Sequence, residues 1–193
     1  MGVIKTFSEF INESIWSDMQ DRSTGDVVRK EDMITTNEDL KNKILELYIE
    51  QGEGETLDVS SLTNCIKCDD FSYIFSAYTE VKHIIGLENW DVSNVKNMSG
   101  MFSGCKNFNS DLSKWDVSNV EDMGFMFMSC DNFNSDLSKW NVSKVENMRF
   151  MFWSCDNFNS DLSKWDVSSV ETIIIDMFDG CKSLKQIPSW YKN

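Results

Sequence analysis

Proline is all but missing: the 193-residue chain holds one, Pro188. Histidine is equally scarce, with only His83, which excludes most His-based acid–base catalysis and most zinc sites. No apolar run approaches the roughly 20 residues that a membrane-spanning helix needs. Basic residues are the minority, 18 Lys plus Arg against 32 Asp plus Glu, for a formal net charge of −14. A surface this acidic repels phosphate backbones and anionic headgroups, so neither nucleic acid nor membrane is an expected partner. The opening MGVIKTFSEF holds no long apolar stretch, and the closing PSWYKN carries no anchor. No secretory leader or lipid tail is therefore expected. G-x-S-x-G and phosphate-cradling glycine loops are absent as well, and no histidine stands near a serine or cysteine of the second half.

What remains is still enough to build a core. Hydrophobic residues make up 41% at a mean hydropathy of −0.36, which suits one globular domain plus a modest extension.

The second half repeats itself every 25 residues, with Trp90, Trp115, Trp140, Trp165 and Trp190 on one comb. The apolar skeleton is L-x-x-W-x-V followed by V-x-x-M-x-x-M-F-x-x-C-x-x-F. Leu112, Trp115 and Val117 read as a short strand, since Trp115 and Val117 are two apart and share a face. Val120, Met123, Met126, Cys130 and Phe133 step by three or four, which predicts a short helical return. One unit cannot bury its apolar face alone, so the units are expected to stack. The expected fold is an α/β repeat, a leucine-rich-repeat-type solenoid of about six coils over residues 57–193. Leu57-Asp-Val-Ser60 would be a degenerate first strand. The last return, Val170 to Phe178, holds one residue more than its neighbours. Atypical end units are expected caps, which favours a monomer.

The signature W-D-V-S-x-V-x-x-M-x-x-M-F-x-x-C, in tandem copies over residues 57–193, resembles the BspA-like leucine-rich repeat proteins. Known members are often bacterial surface proteins that bind host or matrix proteins. The resemblance therefore implies a solenoid that binds protein, although the export signal of such adhesins is not seen here.

Stacking would set equivalent residues of neighbouring coils roughly 4.8 Å apart, in columns. Cys105, Cys130, Cys155 and Cys181 form one column, read as small buried side chains in preference to disulfides or a metal string. Cys65-Ile-Lys-Cys68 is a lone C-x-x-C, too few ligands for zinc. Asp111, Asp136 and Asp161 make an acidic column, with Asp91, Asp116 and Asp166 most of a second. Lys114, Lys139 and Lys164 run between them, so the pattern reads as a solvated face and not a calcium site. Asn109, Asn134 and Asn159 read as a buried or half-buried amide ladder that satisfies turn backbone groups. No metal, no cofactor and no catalytic set is expected. The residues expected to meet a protein partner are Ser113, Lys114 and Asp116 with their copies Ser138, Lys139, Asn141, Ser163, Lys164 and Asp166.

Residues 1–56 carry no repeat. Thr36-Asn-Glu-Asp39 predicts a helix cap, Leu40, Ile44, Leu47 and Tyr48 share one helical face, and Gly52 and Gly54 end the helix. Residues 36–56 are thus expected to form a capping helix over the first coil, behind a polar linker at 21–35. Within 1–20, Phe7, Phe10, Ile11, Ile15, Trp16 and Met19 form an amphipathic stripe that could dock on the domain or on a partner. Lys5-Thr-Phe-Ser-Glu-Phe-Ile-Asn-Glu13 also resembles the capsid-targeting peptides of internal head proteins in large tailed phages. That resemblance implies a cargo protein of the phage head, cut after Glu13 to leave Ser14 first. It would place the chain in the virion or the infected-cell cytoplasm. The sequence as a whole points to a non-enzymatic, protein-binding repeat module, phage-encoded and carried in the head. A BspA-like adhesin is the alternative.

Overall fold

In this computed structural model, residues 33–63, 66–171 and 176–191 are described. The stripe from Phe7 to Met19, the Glu13–Ser14 bond, Cys65 and Ile173 to Ile175 lie outside the described residues.

Helix α1 spans Asn37–Glu50. The Thr36 hydroxyl caps it, accepting the Asp39 N–H at 3.1 Å, and Glu38 and Asp39 in the first turn favour the positive end of the helix dipole. The helix ends in a Schellman motif. Gly52 N–H donates to the Ile49 carbonyl at 3.0 Å and Glu53 N–H to the Tyr48 carbonyl at 2.9 Å. Leu40 and Ile44 are fully buried, and Leu47 and Tyr48 pack against the same core. The segment before the helix is not all linker, because Ile34 is buried and pairs in parallel with Ile66.

Two short strands follow, β1 (Thr56–Asp58) and β2 (His83–Ile85), paired in parallel with Leu57 opposite Ile84. From there the repeated units lie side by side. Their inner surface is a set of ring columns, Phe75, Phe102, Phe127, Phe152 and Phe178 being stacked at 5.4 to 5.8 Å between neighbours. Phe108, Phe133 and Phe158 form a second column at 5.8 and 6.2 Å.

Inside each unit the secondary structure differs from the expectation. The segment holding Leu112, Trp115 and Val117 is not a strand but a turn, closed by Trp115 N–H to the Leu112 carbonyl at 3.1 Å. The segment from Val120 to Phe133 is not helical either. It is a run of β-turns that doubles as the ladder between units. Phe125 N–H donates to the Arg149 carbonyl, Phe127 N–H to Met151 and Ser129 N–H to Trp153, at 2.8 to 3.0 Å. The intervening N–H groups close turns within the unit, Met126 to Met123, Met128 to Phe125 and Cys130 to Phe127.

The reason lies in the Met-Phe pair. Met126 and Phe127 are adjacent and both fully buried, whereas a strand sends neighbours to opposite faces. Turning the chain at left-handed residues brings both inside. Phe125 (φ 60°) and Ser129 (φ 59°) occupy the third position of their turns, as do Phe150 (φ 55°) and Ser154 (φ 58°) one unit later. A β-turn also sets residues three apart on one side, so a chain of turns mimics helical spacing.

At the first edge of the ladder, among the described residues, no backbone N–H of an earlier unit donates to the Asp70 and Ser72 carbonyls, and Asp70 has the weak Cys68 thiol donor at 3.7 Å. The Asn37 amide supplies both bonds, at 3.1 Å each. Helix α1 thus closes the edge with its second-turn neighbours packed beneath it, and it removes a template for pairing with another chain. Among the described residues no helix is long and apolar enough to cross a membrane.

Candidate functional site

Of the residues expected to meet a partner, Lys114, Asp116, Lys139, Asn141, Ser163, Lys164 and Asp166 are exposed and Ser113 and Ser138 half-buried, on the turns outside the ladder bonds. Each unit builds these as Asx turns. Asp111 accepts the Ser113 N–H at 2.9 Å and Asp116 the Ser118 N–H at 3.1 Å. Asp136 and Asp161 do the same for Ser138 and Ser163, and Asp166 for Ser168. Asn141 holds Ser143 in the same way at 3.2 Å, so an amide serves as well as a carboxylate. Ser113, Ser138 and Ser163 are therefore committed to turn geometry, as are Asp116, Asn141 and Asp166. Lys114, Lys139 and Lys164 are exposed, and the ion pairs among the described residues involve other lysines. They form the chemically available column of this face. Beside it runs a shallow polar groove of about 400 Å³, between Asn109, Asp111 and Ser113 of one unit and Asn134, Asp136 and Lys139 of the next.

The asparagine column works through backbone, but it is not buried: Asn109 and Asn134 are exposed and Asn159 half-buried, because the amide oxygens reach the next unit from the turn surface. Asn109 accepts the Asn134 N–H at 2.8 Å, Asn134 the Asn159 N–H at 2.8 Å and Asn159 the Lys185 N–H at 2.9 Å. Two residues earlier backbone also joins the units, Asn132 N–H donating to the Lys106 carbonyl and Asn157 N–H to Asp131 at 3.0 Å, so side chains and backbone share this seam.

The Asx turns make stability depend on pH. Asp91, Asp111, Asp116, Asp136 and Asp166 are held below the ordinary carboxylate range, first by the hydroxyl of the serine two residues on and then by its N–H. At Asp161 the N–H of Ser163 is the larger cause. A carboxylate whose folded pKa is depressed stabilises the fold above its unfolded value, near ~3.9, and that stability is lost as pH falls through the folded value. The urea midpoint is therefore expected to fall as the pH drops below about 4. The triple variant Asp111→Asn, Asp136→Asn, Asp161→Asn should flatten that slope. An unchanged slope would assign acid sensitivity to other carboxylates.

The cysteines lie inside, all free where described. Cys130 Sγ donates to the Phe102 carbonyl of the unit before at 3.0 Å, Cys155 to Phe127 at 2.9 Å and Cys181 to Phe152 at 3.0 Å. Burial pushes the Cys105 thiol up to about 12 and Cys68 and Cys181 to about 11, so these groups are poor thiolates and serve as packing with a weak donor. Among the described residues no group of three or more His, Cys, Asp or Glu is placed to hold a metal ion. His83 is exposed on β2.

A second surface was not singled out from the sequence. On the outer side of the ladder Phe125 and Phe150 stack at 5.4 Å, the Arg149 guanidinium carbon lies 4.9 Å from the Phe150 ring centre, and Trp153 is 40% exposed. Tyr73 stands at the head of the same column, 46% exposed, its ring lying where a Cβ on Gly100 would fall. Spacing concealed these residues, since each is one step away from a buried core residue: Ile74, Met126, Met148, Met151 or Phe152. The signal that could have found them is the variation between copies at otherwise fixed positions.

The repeated units stack on ladders of turn hydrogen bonds, which makes this a repeat protein. The model of one family, described as "Mycoplasma protein of unknown function, DUF285", matches residues 69–191, more than half of the 193 residues. The chain belongs to that family. No curated protein and no solved structure matches it.

Proposed function

We propose that this chain is a non-enzymatic protein-binding module, a leucine-rich-repeat-type solenoid of the BspA-like kind. The observation that carries the reading is the repetition of one exposed surface chemistry. Lys114, Lys139 and Lys164 stand on equivalent turns of successive units, held there by Asx turns that leave the ammonium groups to solvent. Such a row suits a partner that tracks along the units.

The test is the triple variant Lys114→Glu, Lys139→Glu, Lys164→Glu, compared with wild type by chemical cross-linking in an extract of the source cell. Wild type is expected to give a discrete protein adduct and the variant about tenfold less. The melting temperature should move by no more than ~2 °C, because exposed charges contribute little to folding. Loss of the fold in the variant would make the column structural and remove this support.

The phage-cargo version of the reading rests on Lys5-Thr-Phe-Ser-Glu-Phe-Ile-Asn-Glu13. It places the protein in the virion or the infected-cell cytoplasm. An intact mass of protein recovered from its source particle is expected to begin at Ser14. An uncut chain found only in cell lysate would end that version and leave the adhesin-like alternative.

A further inference from the structure

The polar groove of the turn face is longer than one pair of units. The hollow that ends at Lys139 shares Asn109, Ser110 and Asp111 with a second of about 460 Å³, which reaches Ile85 and Glu88. Together they cross three successive units. Along this path the units offer the same uncommitted atoms. Asn109 and Asn134 give their amide oxygens to the backbone of the next unit, and their amide nitrogens donate to no described residue. Asp111 and Asp136 accept the Ser113 and Ser138 N–H, which leaves acceptor capacity on each carboxylate. After the serine bonds, the Lys114 ammonium also draws the Asp111 pKa down, as Lys139 does for Asp136 and Lys164 for Asp161. Among the described residues no close ion pair ties these lysines. Carboxylate and ammonium are thus neighbours in every unit, and both face solvent.

Two properties select the occupant. The first is charge. One carboxylate and one ammonium per unit balance, so the row favours neither anion nor cation and suits a group that both donates and accepts, a hydroxyl. The second is spacing. Neighbouring units of a ladder lie about 4.8 Å apart. An extended peptide advances ~3.4 Å per residue and returns to the same side only every second one, so it falls out of register with the units. A pyranose in β-1,4 linkage advances by about one unit of the stack. Successive rings turn over, and a unit that holds both a donor amide and an acceptor carboxylate serves either edge of the ring. Ile85, 49% exposed, gives an apolar ring face its contact at the end of the groove. We infer that the groove from Ile85 to Lys139 binds a linear, uncharged, β-1,4-linked polysaccharide, with one sugar to each unit. This goes beyond the protein-binding reading and does not rest on it.

The probes are cellohexaose, maltohexaose and the peptide (GS)6, titrated into the full chain with calorimetric and amide chemical-shift readouts. Cellohexaose is expected to bind and to shift amides within 85–88, 109–113 and 134–139. Maltohexaose, whose α-1,4 linkages coil it out of register, should bind at least tenfold more weakly. Raising the salt should leave cellohexaose binding unchanged, since the ligand carries no charge to screen. Asn109→Asp with Asn134→Asp keeps the oxygen that the next unit needs and removes the free donor, so it should reduce affinity about tenfold. Lys139→Gln, which touches no bond between units, should weaken binding as well and carries the test if the double variant does not fold. Trp153→Ser, outside the groove, should leave affinity within twofold. The inference is overturned if maltohexaose or (GS)6 binds as tightly, if cellohexaose does not bind at millimolar concentration, or if the shifts map to 149–154. The cross-linking experiment reads a protein adduct, so the module reading stands or falls separately.

Discussion

Replacing Trp140 with alanine is expected to cost ~3–5 kcal/mol of stability. The indole is 4% exposed, its ring centre lies 6.4 Å from that of Phe127, and its Nε1 donates to the Leu112 carbonyl of the preceding unit at 3.0 Å. The same bond joins Trp115 to Leu87, Trp165 to Leu137 and Trp190 to Leu162, at 2.8 to 3.2 Å. Alanine removes a large buried volume and also takes from the Leu112 carbonyl one of its two donors, the Trp115 N–H at 3.1 Å remaining, a net loss of ~0.5–1.5 kcal/mol. Trp140→Phe separates the two effects, because it keeps most of the apolar volume and loses only the donor. Its expected cost is the carbonyl part alone. Urea unfolding followed by circular dichroism measures both. Since each unit contacts only its neighbours, the alanine variant should also broaden the transition by uncoupling the units on either side. A near-neutral result for Trp140→Ala would mean that the units repack around the gap, and that the comb is not what registers one unit on the next.

The second large effect is expected at Gly86, by a different mechanism. Its φ of 88° lies in the left-handed region, and a Cβ there would come within 2.5 Å of Ser60 Cα and 2.7 Å of Ser60 N. The obstacle is backbone that cannot swing away. Ser60 is held by Asp58, which accepts its N–H at 2.9 Å and its hydroxyl at 2.6 Å. Just ahead of it Val59 N–H bonds the Ile85 carbonyl at 2.9 Å. Gly86→Ala combines a left-handed penalty of ~1–2 kcal/mol with overpacking of ~1–3 kcal/mol, for about 2–5 kcal/mol in all. Denaturant unfolding of the full chain reads the loss directly. A change below ~0.5 kcal/mol would show that β1 and β2 part easily, and that the contact between the first units is not a fixed point of the fold.

Much of the interior was legible from one unit of sequence. Val120, Met123, Met126, Cys130 and Phe133 are all buried, as their spacing required, and so are Leu112, Trp115 and Val117. The cap was legible too, because Thr36 and Asp39 mark the start of α1 and Gly52 its end, and those signals act within a few residues. The conformation of the repeat was not. Apolar spacing of three or four is common to a helix and to a chain of β-turns, and the left-handed residues that decide between them include Phe125, Ser129, Phe150 and Ser154, types that give no local warning. The expected binding columns lie on turns, but their aspartates and serines are occupied in Asx turns, which leaves the lysines. The aromatic surface around Trp153 went unread because an apolar residue beside a core position looks like core until the direction of the chain is known.

What the sequence determined by itself is the periodicity, the list of buried residues and the cap of α1, because these depend on the order of side chains and on contacts a few residues apart. The tertiary structure alone decided which half of each unit carries the ladder, since that depends on N–H groups reaching carbonyls of the neighbouring unit. It also decided that Asn37 supplies the donors missing at the first edge, 33 and 35 residues away in sequence at Asp70 and Ser72. Both are long-range hydrogen-bonding decisions, and a buried or edge carbonyl accepts whichever donor the packing brings within reach.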